Sequence, residues 1–380
     1  MSYRKKLSHF EGYPMKSSRF VLFLLVALLI SVPLSAQERP VGLPQPETGV
    51  TIRATDAIVN GGFETDSDWT ETSLTFPGDI ICFAACTTGG GTAGPYTGLG
   101  WVWFGGGSQE ASTLMQTLSL TPAVGTTDVL RFWLWNGTTA RGADRFYTRF
   151  NNLQLLEVAE GDAPFTLGYS EVLLNLAGIP GGTLSFAATS MDGATTNFSL
   201  DDVSLVPNVQ DLVVNGSFED LVNPLLSWTT PGKSGDLVIC TDSTSFGNCT
   251  YKFKGSRFES SRLRQNLQLP IGAVMSANST LVGSFWANAE PGVVLNAKLK
   301  VTYINGTQKT VKLNARFNAK YDDSAAGNDT NREWKLYQLP PLLLSLDSVS
   351  AAVLTLTHKS SKSNITVNVD NFSVAYLPAP

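Results

Sequence analysis

The sequence predicts an all-β protein made of two tandem domains, and three observations carry that prediction. One phrase is written twice: Ile58-Val59-Asn60-Gly61-Gly62-Phe63-Glu64 returns as Val213-Val214-Asn215-Gly216-Ser217-Phe218-Glu219. Each opening has a matching close, Phe198-Ser199-Leu200-Asp201-Asp202-Val203-Ser204-Leu205 and then Val367-Asn368-Val369-Asp370-Asn371-Phe372-Ser373-Val374. A repeat of about 150 residues is too long for a solenoid unit and long enough for a domain with its own core. Finally, the text between these phrases is rich in Gly, Thr, Ser and Asn and sustains no amphipathic helical period. Short alternating runs bounded by Gly, Pro, Asn and Asp indicate strands.

The chain opens on export signals. Arg19 precedes the apolar run Phe20–Ile30, followed by Ser35-Ala36 and polar Gln37. This is the layout of a secretory signal peptide over residues 1–36, cleaved after Ala36, and the run is short for a membrane span. Met15 offers an alternative start. No later segment is apolar enough to cross a bilayer, so the expected mature chain is secreted, with no membrane span and no nucleic-acid partner. Residues 37–56, with Pro40, Pro44 and Pro46, read as a linker. The first domain covers 57–207, Asn208–Asp211 is a short joint, and the second domain covers 208–380.

Charge separates the copies. Residues 57–207 hold 4 basic and 15 acidic residues, a net of −11, and residues 208–380 hold 16 and 13, a net of +3. Such a difference arises from drift of solvated surfaces, or from domains that attract each other or bind different partners. The cysteines also divide evenly. Cys82 and Cys86 follow Gly78-Asp79-Ile80-Ile81, and Cys240 and Cys249 follow Gly235-Asp236-Leu237-Val238-Ile239. In an exported chain this predicts two short-loop disulfides, and two Cys without His cannot complete a zinc site.

The clearest strand is Ser112–Leu120, aligned with Ser261–Leu269. Ser112, Leu114, Gln116, Leu118 and Leu120 recur as Ser261, Leu263, Gln265, Leu267 and Leu269, while every intervening residue changes. Period two means that one face packs and the other meets water or ligand. Gln116 and Gln265 fall on the packed side, where they are expected to satisfy backbone groups.

The opening Asn-Gly-x-Phe-Glu, a Trp shortly after it (Trp69, Trp228) and the closing apolar-Asp-(Asp/Asn)-apolar-Ser-apolar strand together resemble the CenC-type carbohydrate-binding modules. These belong to the galactose-binding-like jelly rolls, and the resemblance covers both repeats. It implies two β-sandwiches, each with first and last strands side by side. It also implies a structural calcium between those strands, held by Glu64 with Asp201 and by Glu219 with Asp370. Calcium takes six to eight oxygens, carboxylates and main-chain carbonyls among them. The alternative is that these carboxylates accept backbone N–H groups in a tight corner. Asn60, Asn215, Gly61 and Gly216 are expected in the turn, the glycines for a positive φ or a close approach.

The resemblance further implies a glycan or cell-wall polysaccharide as partner, met by aromatic faces with polar neighbours. Aligning Trp101 and Trp103 with Tyr251 and Phe253 makes these rings core. Arg131, Trp133 and Trp135 alternate on one strand face and form the leading candidate, with Tyr96 and Tyr147 secondary and Trp286 the counterpart of Trp133. In the second domain Lys252, Lys254, Arg262 and Arg264 would form a cationic stripe if their strands are neighbours. Such a stripe suits an acidic polymer or the acidic first domain, or it is a soluble face kept from aggregating.

Catalytic patterns are sparse. His358 is the one histidine of the mature chain, and no Gly-x-Ser-x-Gly accompanies it. Gly89–Gly94 matches Gly-x-Gly-x-x-Gly literally but opens no helix. The expected function is therefore non-catalytic glycan recognition outside the cell. The alternatives are a structural or adhesion module without sugar specificity and, third, an unrecognised glycoside hydrolase or its accessory.

Overall fold

Alternating apolar and polar residues build nearly everything that can be seen. The computed structural model describes residues 57–76, 80–86, 93–190, 196–230, 235–240, 247–255, 260–269, 278–289, 293–317, 334–359 and 366–379. The expected signal peptide and linker, the Gly89–Gly94 motif and Arg257 lie wholly or mostly outside them.

The first repeat supplies ten strands: β1 (Thr70–Ser73), β2 (Ile81–Cys82), β3 (Trp101–Gly105), β4 (Ala111–Leu118), β5 (Thr126–Asn136), β6 (Arg145–Phe150), β7 (Leu153–Ala159), β8 (Ser170–Asn175), β9 (Gly182–Thr189) and β10 (Asn197–Asp211). The second supplies β11 (Trp228–Thr229), β12 (Leu237–Cys240), β13 (Cys249–Phe253), β14 (Ser260–Asn266), β15 (Thr280–Ala289), β16 (Val294–Tyr303), β17 (Gln308–Arg316), β18 (Lys335–Gln338), β19 (Leu342–Leu343), β20 (Val349–Lys359) and β21 (Val367–Leu377). Among the described residues the helical pieces are two single 3-10 turns.

The fold is all-β, a pair of jelly-roll sandwiches. One five-stranded sheet runs β1-β4-β9-β6-β7 and its counterpart runs β11-β14-β20-β16-β17. A third sheet, of 11 strands, takes strands from both repeats. In the first repeat the two layers meet through rings: Phe104 and Phe198 pack on Phe146, and Phe132 packs on Phe186 at 5.2 Å. The second core gathers Phe218, Trp228, Tyr251, Phe285 and Phe372.

The large sheet is continuous because β10 does not stop at the expected joint. Asn208–Asp211 is its last stretch, and Gln210 and Asp211 pair with Tyr376 and Ala375 of β21. A small apolar cluster, Val129, Leu173, Val209, Val282 and Ala375, straddles this seam. Buried polar groups close it. Asn175 Nδ2 donates to the Val282 carbonyl and to Ser373 Oγ, both at 2.9 Å, and its backbone exchanges hydrogen bonds with the Gln338 amide.

The doubled phrases make the corner where each sandwich closes. Asn60 and Asn215 take φ of 51° and 50°, the left-handed region that Asn tolerates. Their carbonyls accept the indole N–H of Trp69 and Trp228, each at 3.0 Å. Gly61 and Gly216 serve close approach: a Cβ there would collide with the carbonyl oxygen of Val203 or Phe372. Gln116 and Gln265 act as expected, each bonding both the N–H and the C=O of the opening residue Val59 or Val214.

Both disulfides are present but are not equivalent. Cys240 and Cys249 face each other across β12 and β13, whereas Cys82–Cys86 closes a 3-10 turn beside β2.

Candidate functional site

Register decides which side chains share a face. Leu200 pairs with Val102 and Val369 pairs with Tyr251, so Val102 corresponds to Tyr251 and Trp103 to Lys252. The alignment of Trp101 and Trp103 with Tyr251 and Phe253 is therefore wrong by one residue. Slipping a strand by one residue moves its side chains to the opposite face. Val102 and Phe104 enter the core cluster, while Trp103 is the partly exposed ring of β3 and Trp101 is fully buried outside that cluster.

The face that carries Trp103 is the candidate site. Ser199 of β10 stands directly opposite Trp103 on one side and Trp135 on the other. With strands about 4.8 Å apart, the two Trp backbones flank it roughly 10 Å from each other. Asp201 stands opposite Trp133, which is paired in turn with Glu171. Arg131 Nε holds Glu171 at 2.7 Å, so this cation is already neutralised. Trp103 donates its indole N–H to Asn197 Oδ1 at 2.8 Å, which fixes its ring. Trp135 is half-buried and has neither a hydrogen bond nor a ring partner among the described residues.

Tyr96 does join the cluster, but as packing. Its ring stacks on Trp133 with centroids 4.1 Å apart, and Tyr169 tilts against it while donating its hydroxyl to the Gly94 carbonyl. Burial raises the Tyr169 hydroxyl well above the ordinary tyrosine range. Trp133 thus offers at most one face.

The other sequence candidates are elsewhere. Tyr147 lies on β6 in the opposite sheet, under the Arg149 guanidinium at 4.3 Å. Trp286 is buried where the repeats meet and donates to the Ala177 carbonyl at 2.9 Å, so it serves the seam. The cationic stripe is divided. Lys252 belongs to β13 in the large sheet, with Lys254 just past its end, while Arg262 and Arg264 belong to β14 in a five-stranded sheet.

The four carboxylates assigned to calcium take their partners from loop N–H groups. Glu64 accepts from Leu99 and Gly100, and Asp201 Oδ2 accepts from Tyr96 at 2.6 Å and Thr97 at 3.1 Å. Asp201 Oδ1 accepts from Asp202, whose φ of 48° makes the bulge that follows. Glu219 likewise accepts from Asn248 and Cys249, and Asp370 Oδ1 from Asn371. N–H donors aimed at both oxygens of Glu64 and of Asp201 fit anions and do not fit a cation in the first repeat. Among the described residues no cluster of three or more His, Cys, Asp or Glu forms a metal-binding group. Burial first, then Asp202, pushes the Asp201 carboxyl up to about 7. Burial and Glu219 push Asp370 up to about 8.

No family model matches the chain, and no curated protein matches it. Solved structures overlap parts of it. TmCBM61 in complex with β-1,4-galactotriose is 19% identical over 43% of this chain and 97% of that chain, with a TM-score of 0.31. The N-terminal CBM22-1-CBM22-2 tandem domain of a Paenibacillus barcinonensis protein is 12% identical over 87% and 100%, with a TM-score of 0.30. A family 16 carbohydrate binding module is 17% identical over 43% and 99%, also at 0.30. At these scores the overlaps assign nothing to this chain. Among the described residues no helix is long and apolar enough to cross a membrane.

Proposed function

We propose that this chain is an exported, non-catalytic glycan-binding protein whose first repeat holds a sugar over the row Trp103–Ser199–Trp135. The observation that carries the reading is the half-buried Trp135, whose ring and N–H are uncommitted among the described residues, set across β10 from the fixed ring of Trp103. Partly exposed aromatic faces suit the apolar faces of a sugar ring. The resemblance of the repeated phrases to carbohydrate-binding modules supports the same reading, and two disulfides suit an oxidising, extracellular setting. The test is a panel of neutral oligosaccharides presented to the wild type and to Trp135→Ala. The variant is expected to bind at least about tenfold more weakly with little change in melting temperature. A wild type that retains no sugar would sink the proposal.

A second reading is a structural or adhesion module without sugar specificity. It is favoured by rings spent on packing: Tyr96 covers Trp133, and Trp286 is buried at the seam.

A further inference from the structure

The sheet β11-β14-β20-β16-β17 carries a second face with different chemistry. Its outward positions form cross-strand rows. Arg264 faces Thr355, Thr355 faces Lys298, and Lys298 faces Lys312. In the next row Arg262, Thr357, Asn296 and Asn314 follow one another in the same way. A shallow groove of about 430 Å³ runs over the middle of these rows, lined by Asn296, Lys298, Lys312, Asn314, Thr355 and Thr357.

None of the five strands contains an Asp or Glu. Among the described residues Arg262, Arg264, Lys298, Lys300 and Lys312 make no ion pair. Lys298 and Lys312 are directly opposed, an arrangement that costs a few tenths of a kcal/mol or more in an isolated sheet. Protection of a sheet edge explains Lys312 on the outer strand β17. It does not explain Lys298 and Lys300, because β16 is an interior strand between β20 and β17. The corresponding face of the first repeat is less basic, and its Arg149, in the place of Lys298, lies over the Tyr147 ring. Thr113 and Met115 stand where Arg262 and Arg264 stand, and Arg145 of β6 is paired with Glu157 at 3.3 Å.

We propose that this face of the second repeat binds an acidic polysaccharide. Cations repeat along β16 every second residue, about 7 Å, and across strands at about 5 to 10 Å, so a chain with recurrent carboxylates meets several at once. Arg262 and Arg264 can take a carboxylate in two-point fashion. Thr355, Thr357, Asn296 and Asn314 lie between the cations and bond sugar hydroxyls. Three other occupants fit less well. The outward positions of these rows hold no aromatic on which a nucleic-acid base could stack. They hold no large apolar side chain to enter a bilayer. They offer no ring to a neutral sugar.

The site is separate from the Trp103–Trp135 row and does not rest on it. The experiment is affinity electrophoresis of the full mature chain in polygalacturonate and in a neutral galactan, over a range of salt. Retardation in polygalacturonate is expected to weaken as salt rises and to depend on the second-repeat cations, whereas any retardation in the galactan belongs to the first-repeat row and is expected not to change with salt. Lys298→Gln/Lys312→Gln is expected to bind about tenfold more weakly, and Arg264→Gln, at an exposed position, to weaken binding without threatening the fold. Arg141→Gln, a matched charge change in the first repeat, is expected to leave it unaltered. Equal retardation of wild type and both second-repeat variants would overturn the inference. So would a mixed-sequence DNA duplex or an anionic vesicle bound as tightly as polygalacturonate at the same salt. A wild type retarded by polygalacturonate but bound by none of the neutral oligosaccharides would sink the first-repeat proposal and leave this one standing.

Discussion

Asp201 and Asp370 occupy the same place in the two repeats, and their surroundings give them different chemistry. Both oxygens of Asp201 accept N–H groups, while Asp370 Oδ2 is buried with no hydrogen-bond partner among the described residues. Burial lifts its pKa from an ordinary 3.8 to about 8, so the folded state holds a proton the unfolded state has lost. Stability then falls as pH rises from about 4 to about 8 and levels off above that. Asp370→Asn keeps the oxygen that accepts from Asn371 and removes the ionisable group. Its melting temperature should exceed the wild type by about 3 °C or more at pH 9, with the gap closing at pH 5. A constant difference at both values would contradict this account. The doubling of the motif was plain in the sequence, but the raised carboxyl was not, because burial depends on packing from strands far apart in the chain.

At the scale of elements, the corner that closes each sandwich is held by backbone approach. Gly61 lies against the Val203 carbonyl, and Val203 donates its N–H to the Gly61 carbonyl at 2.8 Å. Gly61→Ala should push β10 away from the opening segment and destabilise the fold by about 2 kcal/mol or more, read by urea denaturation. Gly62→Ala, with open space beside the new methyl apart from Asp202 Oδ1 at 3.5 Å, should cost far less. The period of β4 and β14 was legible because identical residues alternate there with changed ones. The register of β3 against β13 was not, because matching aromatic to aromatic placed Trp103 opposite Phe253. The strand pairs show that Lys252 is its true counterpart. The cationic stripe failed for another reason. The chain changes sheets between β13 and β14, so these strands are not neighbours, and Arg262 and Arg264 find their company in Lys298 and Lys312, far along the chain.

At the scale of the whole described molecule, the repeats share a sheet, a small apolar cluster and a buried polar seam. Asn175 alone bonds to Val282, Ser373 and Gln338 across it. The two repeats should therefore melt as one calorimetric transition. Asn175→Ala combined with Trp286→Ala leaves buried carbonyls unanswered and removes a large ring, and it should split the transition in two. Two transitions in the wild type would show that the seam contributes little. The sequence reads Asn208–Asp211 as a short joint between the domains. In the structure Asn208 accepts from Ala123, and Asp211 accepts from Val213 and Val374. Those polar side chains complete a strand.

The unbroken passage of β10 into the second repeat also bears on avidity. Two modules on a flexible tether adjust their separation to whatever polymer they meet, so their effective concentration varies smoothly with tether length. Here the tether is a strand, and the distance between the aromatic row and the cationic face is set by the sheet. A glycan that spans this distance with a neutral end and a charged end gains both contacts together. One that is too short gains a single contact, and no rearrangement of the joint rescues it. The protein would then act as a ruler, selecting its polymer by length and charge order as well as by composition.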